Sequence, residues 1–222
     1  MSHFEKCWYA EDCDGYTEGC TDYCPVYIKL KYMLDNSGIP ENKQRPIELY
    51  PLPCDLEAFR RLADIKEHIY DFVQEGKSLY IASSITGNGK STWSMKLLMR
   101  YFEEMAERER CEVRGIFINV PTFLAKLKKF DGVDSDFEKL KKSLLEADVV
   151  VWDDIAGSNL SNYDYLQLLS YIDGRYMNEL SNIYTSNITD RDDLEKLFGA
   201  KLVSRIWNRN TEVVTFYGGD RR

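Results

Sequence analysis

The sequence predicts an α/β fold: a five-stranded parallel sheet flanked by helices, preceded by a small cysteine-rich module. Three observations predict it. Residues 84–91 (SITGNGKS) follow the apolar run 79–82 (LYIA) and lead into a helix-like segment at 92–105. They match the phosphate-cradling pattern G-x-x-x-x-G-K-[ST] except that Ser84 stands at the first glycine, and a strand before and a helix after are the context that loop needs. About sixty residues later, residues 148–154 (DVVVWDD) form an apolar run that ends in an acidic pair. Further short apolar runs at 114–120 (RGIFINV), 182–187 and 212–217 alternate with helix-period segments, the order of a parallel sheet with crossover helices.

Composition bounds the answer. A chain of 222 residues suits one medium domain plus a small appendage, and 44% hydrophobic residues suffice for a real core. The net charge of −8 argues against duplex DNA as the main partner, although it leaves room for a local basic strip. No apolar run is long enough to span a membrane, so no membrane partner is expected. The first residues lack a basic region followed by an apolar run. A reducing cytoplasm is therefore the expected location, and there clustered cysteines read as metal ligands or free thiols before disulfides.

Four cysteines lie in the first 24 residues, spaced C-x5-C-x6-C-x3-C. So short a segment cannot bury enough apolar surface to fold alone. A structural zinc ion on Cys7, Cys13, Cys20 and Cys24 is the sharp expectation. An iron–sulfur cluster on the same thiolates is the alternative, and free thiols in a loose arm the bland one. His3 reads as a solvated terminal residue rather than a fifth candidate ligand. Cys54 and Cys111 stand alone and read as buried small side chains. Residues 25–34 have helical spacing, with Pro25 in the first turn. Residues 38–53 hold four prolines and read as an extended linker. The division is thus a module at 1–37, a linker at 38–54 and the main domain at 55–222.

In that domain a helix starts at Asp55, carries Leu56, Phe59, Leu62, Ile65, Ile69 and Phe72 on one face, and is expected to break between Asp64 and Glu67. At the loop, Ser84, Thr86, Gly87, Asn88, Gly89, Lys90, Ser91 and Thr92 are the candidate nucleotide-binding residues. Lys90 would reach the β- and γ-phosphates, the Ser91 hydroxyl would coordinate Mg²⁺, and the following helix adds its positive end. Pro121 and Thr122 open a helix bearing Lys126, Lys128 and Lys129. These read either as a solvated face or as a phosphate-contacting strip for single-stranded DNA, with Phe123 or Phe130 beside them. Residues 131–136 form a polar turn before a helix at 137–146. In the acidic pair, the Walker B pattern, Asp153 is expected to hold Mg²⁺ and Asp154 to act as general base on the attacking water. Aspartate is one methylene shorter than glutamate, which suits slow turnover.

Residues 160–180 read as a long helix. Asn187, ending the next strand with Ser186 and Thr185 behind it, is the candidate to touch the γ-phosphate or the water; the bland reading is a turn asparagine. Short helices follow at 192–199 and 201–208. Arg205, on the second of them, is either a surface residue or an arginine finger completing a neighbour's site.

These residues, taken in order with Ser204-Arg205-Ile206 and the closing Gly219-Asp220-Arg221-Arg222, resemble the AAA+ replicative helicase loaders of the DnaC/DnaI type, in particular phage or prophage versions. The resemblance spans roughly residues 38–222. It implies an ATPase without a C-terminal lid, only five residues following Tyr217. It further implies ATP-dependent loading of a hexameric replicative helicase onto single-stranded DNA, with the cysteine-rich module contacting the helicase. By the same resemblance Asn187 is sensor 1 and Arg205 a finger acting in trans, which implies self-association. The lysine helix falls where relatives bind single strands, and Arg221 or Arg222 would approach the nucleotide. Two other readings stay open: a nucleotide-switched adaptor or inhibitor with little turnover, and a transposition-type ATPase.

Overall fold

The computed structural model describes residues 7, 13, 15, 17, 19–44, 48–108, 114–130, 132–157 and 160–220. The expectations for His3, Cys111, Asp131, Arg221 and Arg222 lie outside the described residues. In chain order the elements are α1 (Pro25–Asp35), α2 (Leu56–Glu67), α3 (Ile69–Gln74), β1 (Ser78–Ala82), α4 (Lys90–Glu107), β2 (Gly115–Asn119), α5 (Val120–Lys129), α6 (Ser135–Glu146), β3 (Val149–Asp153), α7 (Asn162–Met177), β4 (Ser181–Ser186), α8 (Arg191–Ile206) and β5 (Thr211–Thr215).

The five strands form one sheet in the order β2-β3-β4-β1-β5, every pairing parallel. Parallel strands are covered on both faces, which is why they read as continuous apolar runs. Alternate residues feed two separate cores. Leu79, Ile81, Val151 and Ile183 pack under α1–α4, whereas Tyr80, Val150, Trp152 and Tyr184 pack under α5–α8. From β1 the chain crosses to the far edge at β2 and then steps back through β3 and β4. The carboxyl ends of β1, β3 and β4 therefore meet at the point where the order reverses, where open α/β sheets bind ligands.

Several boundaries differ from the sequence reading for tertiary reasons. The break after Asp64 falls at His68, between α2 and α3. The two expected short helices at 192–199 and 201–208 run together as α8, kinked at Gly199, whose φ of 73° departs from helical geometry. The expected linker does not run free at its start. The Ser37 carbonyl accepts from the Phe117 N–H at 2.7 Å, and Ile39 is buried in the same core as Leu30, Met33 and Leu34 of α1. Asp55 starts α2 as expected but makes no cap hydrogen bond to it. Its buried carboxylate instead accepts from the N–H groups of Tyr217 at 2.7 Å and Gly218 at 3.1 Å, holding the segment after β5 against the start of α2. Cys54 is exposed, correcting the expectation of a buried thiol. It sits in a short 3₁₀ turn whose Asp55, not its cysteine, faces inward. No helix among the described residues is long and apolar enough to cross a membrane.

Candidate nucleotide site

The loop after β1 is built by local rules. Gly87 and Gly89 adopt φ of 75° and 100°, left-handed values that glycine takes without steric penalty. Ser84, in contrast, has no positive φ: among the described residues only Asp154 and Glu179 do so without being glycine. The loop thus does not need a glycine at 84. Ser83 braces the turn from inside, its hydroxyl accepting from Asn88 Nδ2 and from the Ile85 N–H. Gly89 leads directly into α4, so the first-turn N–H groups and the positive end of an 18-residue helix open at the loop. Ser84, Ile85 and Thr86 are exposed, Ser91 and Thr92 are half-buried, and Asn88 and Lys90 are buried.

Lys90 carries the main electrostatic feature. Its ammonium donates to Ile85 O at 3.0 Å, Asn88 Oδ1 at 3.3 Å and Ser83 O at 3.4 Å, all neutral oxygens. Burial lowers its pKa, and the charges of Asp154 and Asp153 work against that shift. A buried cation ringed by carbonyls, at a helix N-terminus with hydroxyls on the next two residues, is a donor set that fits a polyphosphate.

Asp153 ends β3 and is buried, with its carboxylate held from both neighbouring strands. Thr185 on β4 donates its hydroxyl to Oδ1 at 2.8 Å, and Asn119 at the end of β2 reaches Oδ2 at 3.5 Å. Asp154 turns into the left-handed region with φ of 57°. Its N–H donates to the Thr185 hydroxyl at 2.9 Å, and its carboxylate lies against Gly157. Burial raises its pKa, the charge of Asp153 raises it further, and Lys90 opposes both. Asp153 and the Ser91 hydroxyl are oxygen donors of the kind a hard divalent cation takes.

The remaining candidates fall elsewhere. Asn187 is exposed, one residue beyond β4. Sequence reasoning ranked it above Thr185 and did not single out Asn119; the signal for both was a polar residue at the carboxyl end of a strand next to β3, which required the strand order to interpret. Arg205 lies at the opposite edge of the sheet, lining a cleft of about 380 Å³ with Ser78, Asn182 and Arg209. Ser78 in that cleft opens β1 and the P-loop follows its other end, so a five-residue strand, about 16 Å long, lies between cleft and loop. Its Nε donates to Asp173 Oδ1 at 2.6 Å, and the guanidinium stacks 4.7 Å from the Tyr176 ring centre.

Of the lysine strip, Lys126 and Lys129 are exposed. Lys128 is an ion-pair partner, 2.7 Å from the buried Asp164 carboxylate that forms a capping box with Ser161 at the start of α7. The aromatic neighbours are not open stacking platforms. Phe123 is buried against Phe137 and Tyr171, and Phe130 is partly buried with Lys141 over its ring.

No three of the four N-terminal cysteines converge. Cys7 is buried in the core with Cys13 packed against that core, while Cys20 accepts from the Thr17 N–H. Among the described residues no three histidine, cysteine, aspartate or glutamate side chains converge as a metal site, so the thiols as arranged do not fit a tetrahedral ion.

No protein-family model matches the chain, and no curated protein matches it. Solved structures do. The DnaC helicase loader superposes with a TM-score of 0.62 at 23% identity, covering 77% of this chain and 94% of that one. DnaI gives 0.60 at 18% identity, covering 81% and 95%. The replication initiator DnaA bound to AMPPCP and single-stranded DNA gives 0.52 at 17% identity, covering 86% of this chain and 52% of that one. The chain shares the α/β fold of the solved DnaC and DnaI structures.

Proposed function

We propose that this chain is an ATP-dependent loader of a hexameric replicative helicase onto single-stranded DNA during replication initiation. One observation carries the reading. Lys90, Asp153 and Asp154 meet at the carboxyl ends of β1 and β3, in a sheet whose neighbours include a helicase loader and a nucleotide-bound initiator. In this reading the loop N–H groups and Lys90 bind the phosphates, Ser91 and Asp153 hold Mg²⁺, and Asp154 orients the attacking water and takes its proton. The cation, when bound, neutralises phosphate charge. Asn187 senses the γ-phosphate. Arg205, too far from its own P-loop, completes the site of a second copy. Lys126 and Lys129 supply phosphate contacts to the single strand.

The full chain is expected to co-purify a hexameric replicative helicase in ATP, and its ATP turnover is expected to rise with single-stranded DNA. A protein that hydrolyses ATP but retains no helicase under these conditions would sink the loader assignment. The nucleotide-switched adaptor is the second reading, favoured by the short Asp154 in its left-handed turn. It predicts helicase retention with turnover unchanged by DNA.

Gly157 offers a direct probe of Asp154. A Cβ at Gly157 would stand 2.1 Å from Asp154 Oδ2 and 2.4 Å from its Cγ, so Gly157→Ala must displace that carboxylate. Misplacing a catalytic group by about 1 Å costs up to ~100-fold in rate. Gly157→Ala is expected to lower ATP turnover by about that factor while leaving ATP affinity within about twofold. Unchanged turnover in single-turnover assays would exclude Asp154 as the base.

A further inference from the structure

We propose that Thr185 is the positioning residue of this site, a single hydroxyl that sets both acids of the pair and so governs the Mg²⁺ dependence of nucleotide binding. The inference rests on the nucleotide reading above and assigns the part that β4 plays in it. A threonine hydroxyl has one proton to give and lone pairs to accept with. Here both capacities are used. The Asp154 N–H donates to Oγ1 at 2.9 Å, so the hydroxyl proton goes to Asp153 Oδ1 at 2.8 Å. The direction is fixed because a backbone N–H can only donate and a carboxylate oxygen accepts.

Burial and two further contacts make this a built arrangement. Thr185 is 1% exposed, so water does not compete for its hydroxyl. Its own carbonyl accepts from the Ile155 N–H at 3.0 Å, so the turn after β3 is tied to β4 through both backbone and side chain. Asn119 approaches the other Asp153 oxygen only at 3.5 Å, leaving Thr185 as the closer brace. The Asp154 bond also bears on the base. With φ of 57°, Asp154 holds a conformation that L-residues adopt rarely, and its N–H partner fixes the peptide plane leading into it. Loss of the hydroxyl therefore releases the Asp153 rotamer and the Asp154 turn together. Thr185 touches no reacting atom; it acts through the two carboxylates, as the outer hydrogen-bond partners of metal ligands do.

The test measures affinity of the full chain for a fluorescent ATP analogue, with Mg²⁺ titrated from zero. Removing an outer partner of this kind costs 10- to 100-fold in metal affinity as an order of magnitude. Thr185→Val, near in shape but without the hydroxyl, is expected to raise the half-saturating Mg²⁺ concentration by about tenfold, with Mg²⁺-free affinity within about twofold of the parent. Thr185→Ser keeps the hydroxyl and is expected to restore the parental Mg²⁺ curve. A buried hydroxyl of merely structural value would shift the melting temperature of all forms and leave the Mg²⁺ curve in place. A folded Thr185→Val protein with the parental half-saturation overturns the proposal. Thr185→Ala removes the same hydroxyl without a second methyl against the Asp154 N–H, and decides the matter if the valine protein does not fold. A parent chain that binds no nucleotide at all would instead sink the nucleotide reading itself, a separable outcome.

Discussion

Lys90→Ala is expected to weaken ATP binding by more than about 100-fold while leaving the fold in place. The ammonium is the only side-chain cation held inside the P-loop, and it bonds three oxygens of that loop. Each hydrogen bond between charged partners contributes about 1.5–3 kcal/mol. Two such bonds to phosphate oxygens amount to roughly 3 kcal/mol or more, and each 1.4 kcal/mol is tenfold in affinity. The structural penalty is smaller because truncation leaves no charge behind: the oxygens that Lys90 leaves are neutral, and Ile85 O belongs to an exposed residue, while Ser83 and Asn88 are buried. Equilibrium binding with a labelled nucleotide, alongside thermal melting of the nucleotide-free protein, checks both halves. Retained affinity would mean that the loop's N–H groups hold the phosphates without help, and that Lys90 is a structural cross-brace.

The second large effect concerns stability. Arg175→Met should destabilise the protein by about 4 kcal/mol, since several buried oxygens each lose a charge-assisted hydrogen bond at roughly 1–3 kcal/mol apiece. Arg175 is fully buried near the end of α7. It donates from Nε to Asn182 Oδ1 at 2.7 Å, from Nη1 to Leu144 O at 2.8 Å and Ala147 O at 2.7 Å, and from Nη2 to Ser181 O at 2.6 Å and Asp148 O at 3.3 Å. A guanidinium has five N–H donors, and all five are used. They satisfy the open carbonyls at the end of α6 and the entries of β3 and β4 at once, where an intrahelical partner is lacking. Burial pulls the guanidinium pKa down to about 10, the nearby Tyr184 and Asp148 partly opposing it, so the cation persists at neutral pH. Methionine fills much of the volume but takes the guanidinium from Leu144 O, Ala147 O and Ser181 O, whereas Asp148 O keeps the Ser181 N–H at 3.0 Å and Asn182 Oδ1 keeps Trp152 Nε1 at 3.0 Å. For a domain of this size the loss corresponds to a fall in melting temperature of roughly 10 °C. Arg175→Lys should recover little, because three donors on a single point cannot reach acceptors spread over two strands and a helix end. A loss below about 1 kcal/mol for the methionine variant would show that water replaces the guanidinium at these carbonyls.

Much of the site was legible in the chain itself. The strand–loop–helix at residues 79–105 and the acidic pair at 153–154 depend on neighbours within a few residues: glycines that take positive φ, an apolar run buried on both faces, an acid where the strand leaves the sheet. Their partners were not legible. Lys128 looks like one more solvated lysine until Asp164 is found beside it. Asp55 looks like a helix cap until the residues after β5 arrive at its carboxylate. Asn187 outranks Thr185 on polarity alone, but Asn187 falls one residue beyond β4, and only the pairing of β3 with β4 puts the Thr185 hydroxyl at Asp153. The four thiols of the N-terminal segment show the converse. Their spacing suggested one metal, yet Cys7 is drawn into the apolar core.

The sequence by itself determined the α/β class, the five strands, the glycine-bearing loop between β1 and its helix and the acidic pair at the end of β3, because each follows from backbone conformation and hydrophobic period over a short window. Tertiary structure alone decided which side chains aim those groups. The Thr185 hydroxyl reaches Asp153 across 32 positions of chain, Asp55 meets Tyr217 across 162, and Arg175 spans a helix end and two strands. Such pairings depend on strand order and register, which the packing of the whole sheet sets and no local pattern encodes. Arg205 is the same case on a larger scale. Its residue type and position were readable, but only the sheet separates it from its own P-loop and turns it toward the opposite edge.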